Sequence, residues 1–226
     1  MELNLNADEK ILVVSPHPDD ESIGCGGLLN KYRGHCDVLL VTDGYDEELD
    51  NRELSEKRKI EFINATDVSG VCERISLHIP EHQIKKNYTK FLNIDYSKYK
   101  YIFVPNEKEY HLDHIETYQS VKKAIKQKKA KSYLVEYEVW TTLKKPNILL
   151  DISDVSDLKI KAINEHKIQV ALLDYVRFIM GLNAYRGAAY KYDYAEAFFC
   201  YEEYKAEKLR RKKRKIKETI SKIWRK

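Results

Sequence analysis

Ile11-Leu12-Val13-Val14-Ser15-Pro16-His17-Pro18-Asp19-Asp20-Glu21 is the stretch on which the reading of this chain turns. Its first four residues are apolar, mostly β-branched and unbroken, the pattern of a short strand buried on both faces. Pro16 and Pro18 lack an amide hydrogen, so the strand cannot continue through them. The chain must turn at the strand's carboxyl end, and a helical pattern from about Glu21 to Tyr32 follows. Into that turn fall one imidazole and three carboxylates. One Asp could cap the helix, but capping explains neither the histidine, nor the second Asp, nor the paired prolines. A neutral His and a carboxylate suit a first-row metal that keeps a position open for water. A further carboxylate beside them suits a general base. Open α/β sheets build their sites at strand ends of this kind.

Outward from this turn, strand and helix patterns alternate. Asp37–Thr42 reads as a second strand, ended by Thr42-Asp43-Gly44, and 51–66 as a helix. Ile75–Ile79 is a third strand, followed by Pro80-Glu81-His82. Tyr101–Pro105 is another buried run stopped by proline, Tyr133–Trp140 and Asn147–Ile152 are two more, and the chain from Asp154 past Ile163 to Val170 is helical. Residues 88–99 show no clear period. With 226 residues, 43% apolar content and 17 Tyr, the chain can fill the core of one domain. The pattern predicts an α/β, Rossmann-like three-layer sandwich with a mostly parallel sheet, plus a basic C-terminal helix. The expected division is a domain over 1–203 and a basic amphipathic helix or tail over 204–226.

Gly24-Cys25-Gly26-Gly27 opens the first helix. It lacks the spacing of a dinucleotide fingerprint, since position 29 is Leu29. These glycines serve either close helix–strand packing or backbone approach to a ligand. The four cysteines have no Cys-x-x-Cys pair and read as reduced, buried thiols rather than a disulfide frame or a thiolate metal site. Neither a signal-peptide pattern nor an apolar run of membrane-spanning length is present, which predicts a cytoplasmic protein.

Further along stands His111-Leu112-Asp113-His114, separated by five residues from a strand-ending proline. On a helix the two histidines, at i and i+3, share a side. Both polar clusters thus follow strands, and two strand ends can meet at one edge of a parallel sheet. By contrast, His78 and His82 stand outside any cluster and read as packing or surface residues.

Pro16-His17-Pro18-Asp19-Asp20-Glu21 and His111-Leu112-Asp113-His114, in this order and setting, resemble the two signatures of the PIG-L/LmbE-like zinc-dependent de-N-acetylases. Weaker parts of the resemblance are Thr42-Asp43-Gly44, Arg58 with Glu61, Asp151-Ile152-Ser153 with Lys159 or Lys161, Arg186-Gly187, and Ala195-Glu196-Ala197-Phe198. The family's Ser-Gln is here Ile168-Gln169, so the serine is missing. The resemblance spans about residues 10–200. It implies one Zn2+ on His17, Asp20 and His114, with Asp19 as general base. It also implies that His111, if cationic, stabilises or protonates the reacting group, and that Asp113 holds an imidazole in its tautomer. Asp43, Arg58 and Arg186 are candidates for substrate contact. For Asp43 the alternative is an Asx-turn, for Arg58 a surface ion pair with Glu61, and Glu196 either orients a metal ligand or pairs with an arginine. The implied reaction is hydrolytic removal of acetyl from an N-acetylated amino sugar of N-acetylglucosamine type, on some carrier. The competing reading is another metallohydrolase, for esters or phosphoesters, or a metal-binding protein using the same site.

Charge is unevenly distributed. Residues 205–226 hold 12 Lys and Arg against 2 Glu, whereas residues 1–204 hold 28 against 34 Asp and Glu. Leu209, Ile216, Ile220, Ile223 and Trp224 form an apolar stripe at helical spacing. A helix of this kind suits the anionic inner face of a membrane or a protein partner, and nucleic acid is the weaker reading.

Overall fold

The computed structural model describes residues 5, 6 and 8–223, and for 207, 211 and 215–223 the helical backbone alone. Seven strands form one sheet: β1 (Lys10–Ser15), β2 (Cys36–Thr42), β3 (Arg74–Ile79), β4 (Tyr99–Pro105), β5 (Tyr133–Tyr137), β6 (Ile148–Asp151) and β7 (Ala195–Cys200). Their order is β3-β2-β1-β4-β5-β7-β6. The pairs β1/β2, β1/β4, β2/β3 and β4/β5 are parallel, and β7 runs antiparallel to both β5 and β6. The expected three-layer, mostly parallel sandwich is therefore the fold.

Strand alternation divides the core in two. Ile11 and Val13 face a core shared with α1 (Asp20–Lys31), α2 (Arg52–Ser69), α4 (Ser156–Glu165) and α6 (Tyr175–Ala188), through Leu28, Phe62, Ile163 and Ile179. Leu12 and Val14 face the other core, with Tyr118, Val121 and Ala124 of α3 (Leu112–Lys128). All four β1 residues are fully buried, as a strand covered on both faces requires. The stretch without clear period forms 3-10 turns at Lys85–Asn93 and Tyr96–Lys98, anchored by buried Phe91 and Tyr96.

Several boundaries differ from expectation. β5 stops at Tyr137, before Trp140. The helix expected through Val170 breaks at His166 into α4 and α5 (Lys167–Leu172), because the buried His166 ring turns inward to a carboxylate. Neither α6 nor β7 was legible as a regular element. The N-terminus of α6 is capped by Asp174, which accepts from the Arg177 amide at 3.0 Å.

Glu196 explains why β7 gives no simple strand pattern. It points into the interior, where its carboxylate accepts from the Gly27 and Leu28 amides at 2.6 and 2.7 Å. Lys159, fully buried, bonds the same carboxylate at 2.7 Å and the Ile23 carbonyl at 2.9 Å. Of the two readings left open for Glu196, an ion pair is what the structure shows, with a lysine in place of the arginine. A buried pair of this kind is tolerable only because every charge has several partners. It ties α1, which begins at Asp20, to α4 and β7.

Close packing accounts for the glycines of α1. A Cβ on Gly24 would lie 2.3 Å from the Tyr137 ring, and one on Gly27 would lie 2.4 Å from Ile152. Of the cysteines, all free, Cys25, Cys36 and Cys200 are buried as expected and Cys72 is exposed.

The final helix, α7 (Tyr201–Ile223), follows β7, which runs antiparallel to β5 from Phe198 beside Tyr137 to Cys200 beside Val135, away from the carboxyl end of β5. α7 therefore leaves the sheet at the edge opposite the carboxyl ends of the parallel strands. Of the expected apolar stripe, Leu209 is exposed and the other side chains lie outside the described residues. No described helix is long and apolar enough to cross a membrane.

Three substitutions test this packing. Gly24→Ala should lower stability by about 1–3 kcal/mol through overpacking. Gly181→Ala, in open space on α6, should raise it by up to about 1 kcal/mol. Lys159→Met, which strands the Glu196 charge, should cost about 3–5 kcal/mol. Urea denaturation monitored by circular dichroism checks all three.

Candidate metal centre and active site

The strand order reverses between β1 and β4, which pair directly. The turn after β1 and the loop after β4 therefore open on one crevice, the place where open α/β sheets bind ligands. His17 to Asp20 come from the first and His111 to His114 from the second. The side chain of Tyr137, at the end of β5, reaches back to β1 and donates to the Val14 carbonyl at 2.7 Å.

Three donor atoms converge there. His17 Nδ1 lies 3.3 Å from Asp20 Oδ2 and 3.3 Å from His114 Nε2, and the last two lie 3.2 Å apart. A tetrahedral ion with bonds of about 2.0–2.1 Å places neighbouring ligand atoms about 3.3 Å apart. The triangle fits such an ion. The other ring nitrogen of His17 is 3.0 Å from Asp113 Oδ2. Asp113 accepts its proton and leaves the Nδ1 lone pair free toward the triangle, which is how a carboxylate orients a metal-binding imidazole. The backbone amide of His82 fixes Asp113 in turn, at 3.0 and 3.2 Å.

His111 stands beside the triangle. Its ring centroid is 4.8 Å from that of His17 and 5.0 Å from that of His114. His17, His111 and His114 each bring one ring nitrogen within 4.8 Å of the others, a looser group than the triangle with Asp20. A separate group, Asp46, Glu81 and His82, lies at the rim. His82, which no local pattern places here, also stacks on His111 at 6.5 Å.

Electrostatics follow from burial and neighbours. Burial opposes charge on His17, but the Asp113 and Asp20 carboxylates outweigh it and push its pKa up to about 10. Asp20 is buried too, yet His114 and His17 hold its carboxyl far below the usual range. The triangle thus favours positive charge, which a bound cation would supply in place of the His17 Nδ1 proton. Asp19 behaves oppositely: burial, then the neighbouring Asp20 charge, push it up to about 6. Burial lowers His111, and His17 and His114 lower it further. These influences disfavour the cationic form of His111 that the resemblance entertains.

Asp19 has no atom in the triangle and faces a cavity of about 340 Å³. Arg58, Glu81, Tyr110, Trp140 and Tyr175 also line it. Trp140 packs against Tyr175 and Phe178, each with centroids 5.8 Å away, making an aromatic wall. Arg58 is buried, 3.3 Å from Glu81 and 3.9 Å from Asp19, rather than paired on the surface with Glu61. Glu61 instead accepts from the Ile168 amide. Gly44, with φ +74, leaves room for the Arg58 guanidinium, which a Cβ there would meet at 2.7 Å.

Two candidates for substrate contact lie elsewhere. Asp43 bonds His78 Nδ1 at 2.6 Å and Ser76 Oγ at 2.9 Å, so it ties the end of β2 to β3 and stands outside the residues that line this cavity. Arg186 bonds Glu138 and, at 2.9 Å, the Leu143 carbonyl, and it lines a different surface concavity with Tyr185 and Tyr190.

A Rossmann-like sheet with a His/Asp/His triangle and an unattached carboxylate at its switch point has the layout of a metal-dependent hydrolase. Residues 12–125 match the family model described as GlcNAc-PI de-N-acetylase, PIG-L, and the chain belongs to that family, which together with the site makes it a hydrolase of the deacetylase type. Among solved structures it is similar to the conserved protein TT1542 from Thermus thermophilus, with TM-score 0.71 and 25% identity over 85% of this chain and 94% of the other. It is also similar to N,N'-diacetylchitobiose deacetylase from Pyrococcus horikoshii, with TM-score 0.65 and 25% identity over 85% and 83%. The fold is shared with the A40926 pseudoaglycone deacetylase Dbv21, with TM-score 0.69 and 17% identity over 85% and 97%.

The triangle can be separated from the three-histidine group by substitution. His17→Ala and Asp20→Ala should abolish stoichiometric metal binding, and His111→Ala should retain it. Metal analysis of the purified variants reads the difference.

Proposed function

We propose that this chain is a zinc-dependent N-deacetylase acting on an N-acetylated amino sugar of N-acetylglucosamine type. The observation that carries the reading is the triangle of His17 Nδ1, Asp20 Oδ2 and His114 Nε2, with Asp19 free beside it and facing the open cavity. Zinc held by those three atoms would supply Lewis acidity, polarising the acetyl carbonyl and acidifying water.

The chain's own residues do the rest. Asp19 takes the proton of the attacking water on its carboxylate and returns it to the amine nitrogen, without which the amine is a poor leaving group. Its raised proton affinity suits both transfers near neutral pH. His111 donates a hydrogen bond to the former carbonyl oxygen as negative charge builds there. Asp113 keeps His17 in the required tautomer. Arg58 and Glu81 offer polar contacts to sugar hydroxyls, and Trp140 and Tyr175 offer apolar surface to a ring. The amino-sugar assignment draws support from the family description and from the diacetylchitobiose deacetylase named above.

We place the protein in the cytoplasm, with its basic C-terminal helix in peripheral contact with an anionic membrane that holds a carrier-linked substrate. Because α7 leaves the sheet opposite the crevice, its role is anchoring rather than presenting substrate. Removal of 204–226 should weaken co-sedimentation with anionic vesicles and leave hydrolysis of a soluble substrate unchanged. Equal sedimentation of both forms would refute the anchor.

Amine release from a panel of N-acetylhexosamine compounds by zinc-loaded protein tests the reaction. Asp19→Asn should lower turnover by about 10²–10⁴-fold with zinc retained. Turnover at the wild-type rate would remove Asp19 from its role. A base works deprotonated, so kcat/KM should fall as pH drops through about 6. A cation beside Asp19 favours its ionised form, which moves that limb lower. The limb should be absent from the residual Asp19→Asn rate.

A further inference from the structure

Asp19 sits in a backbone conformation that L-residues rarely adopt, φ 153 and ψ −29. Such a conformation persists only where the surroundings over-determine it. Part of that constraint is local: the Asp19 carbonyl accepts from the Ser22 and Ile23 amides at 3.1 and 3.0 Å. Two further groups of contacts bring in residues distant in sequence.

The first holds the side chain. Gln169 Nε2 donates to Asp19 Oδ2 at 3.2 Å, and Arg58 stands on the other oxygen at 3.9 Å. The second holds the backbone. The Asp19 amide donates to Glu21 Oε2 at 3.2 Å, and the fully buried Glu21 carboxylate is itself fixed from three directions. Ser15 Oγ reaches it at 3.1 Å, Ser22 Oγ at 2.7 Å, and His166 Nε2 at 2.9 Å. His166 is 2% exposed.

His166 and Gln169 lie three residues apart on one corner, where α4 ends and α5 begins. That corner is seated on α2, whose Glu61 accepts the Ile168 amide at 3.3 Å through either oxygen. The residue between the two functional side chains in this helical turn is thus fastened to a third element. Hydrogen bonds to an ionised carboxylate are directional and among the stronger ones, so the corner can impose both the rotamer and the backbone angle of Asp19.

We propose that Gln169 and His166 are the positioning residues for Asp19: Gln169 orients its carboxylate into the cavity, and His166, through Glu21, holds its backbone. The inference rests on Asp19 carrying the proton in the reaction proposed above. A proton carrier must stand within hydrogen-bond reach of both water and amine, and a displacement of about 1 Å can cost a hundredfold in rate.

The test uses the full-length, zinc-loaded protein and its Gln169→Ala, His166→Gln, His166→Ala and Asp19→Asn variants. Gln169→Ala should lower kcat at least tenfold, leave KM within twofold, and leave zinc content and melting temperature unchanged. Added to Asp19→Asn it should cause no further loss, because the group it positions is already disabled. His166→Gln, which keeps a donor toward Glu21, should retain more activity than His166→Ala. A risen KM with unchanged kcat in Gln169→Ala would make Gln169 a substrate contact and overturn the proposal. So would a full independent loss in the double variant. Crystal structures of wild type and Gln169→Ala decide the matter without an assay: the Asp19 carboxylate should turn or split between orientations, and an unmoved carboxylate would refute the inference. If the wild type releases no amine from any panel member, the function fails, while the crystallographic comparison still judges the positioning.

Discussion

Parallel pairing of β1 with β4 is the constraint from which the rest of the molecule follows. The two strands lie about ninety positions apart in sequence, and their hydrogen bonds set Val13 beside Phe103. With β2 and β3 on one side and β5 on the other, the chain reverses its direction of travel at this seam. The crevice that opens there receives the turn after β1 and the loop after β4, so His17, Asp20 and His114 meet because of strand order alone. Proline at the end of each strand stops the ladder at the point where side chains must be released from it.

Meeting is not enough, because this crevice gathers unlike charges in a buried place. His17 and Asp20 are each under a tenth exposed, and His114 is fully buried. Their protons and lone pairs are ordered by partners further out: Asp113 behind His17, and the His82 amide behind Asp113. The result is two carboxylates next to each other in sequence with opposite tendencies. Asp20, facing two imidazoles, gives up its proton readily, and Asp19, buried beside the Asp20 charge, holds one up to about pH 6. One turn of chain thereby provides both an anionic ligand atom and a group able to move a proton. The Lys159–Glu196 pair keeps this turn in register from below by gripping the amides and carbonyl of α1.

Much of this was legible in the linear chain. The continuous apolar runs marked β1, β2 and β4, and the strand-ending prolines with their His and Asp clusters marked the floor of the site. Other parts were hidden for identifiable reasons. β7 carries a buried glutamate, so its alternation did not read as a strand. The break at His166 interrupts a helical period that looks continuous, because the cause is a carboxylate one hundred and forty-five positions away. Glu81, His82, Trp140 and Tyr175 come from three separate segments and bear no local mark of a site. Asp43 and Arg186 sit in motif-like positions, yet each is consumed by a neighbour, His78 in one case and Glu138 in the other.

By itself, then, the sequence determined the fold class, the positions of the principal strands and the chemistry available at two strand ends, because hydrophobic period, proline and clustered ligating side chains are local properties. Tertiary structure alone decided which donors form a triangle of metal-binding dimensions, which carboxylate stays outside it, and which residues build the cavity wall and hold Asp19 in place. Those facts depend on distances and burial between segments far apart in the chain, and proton affinities in a buried site are set by just those distances.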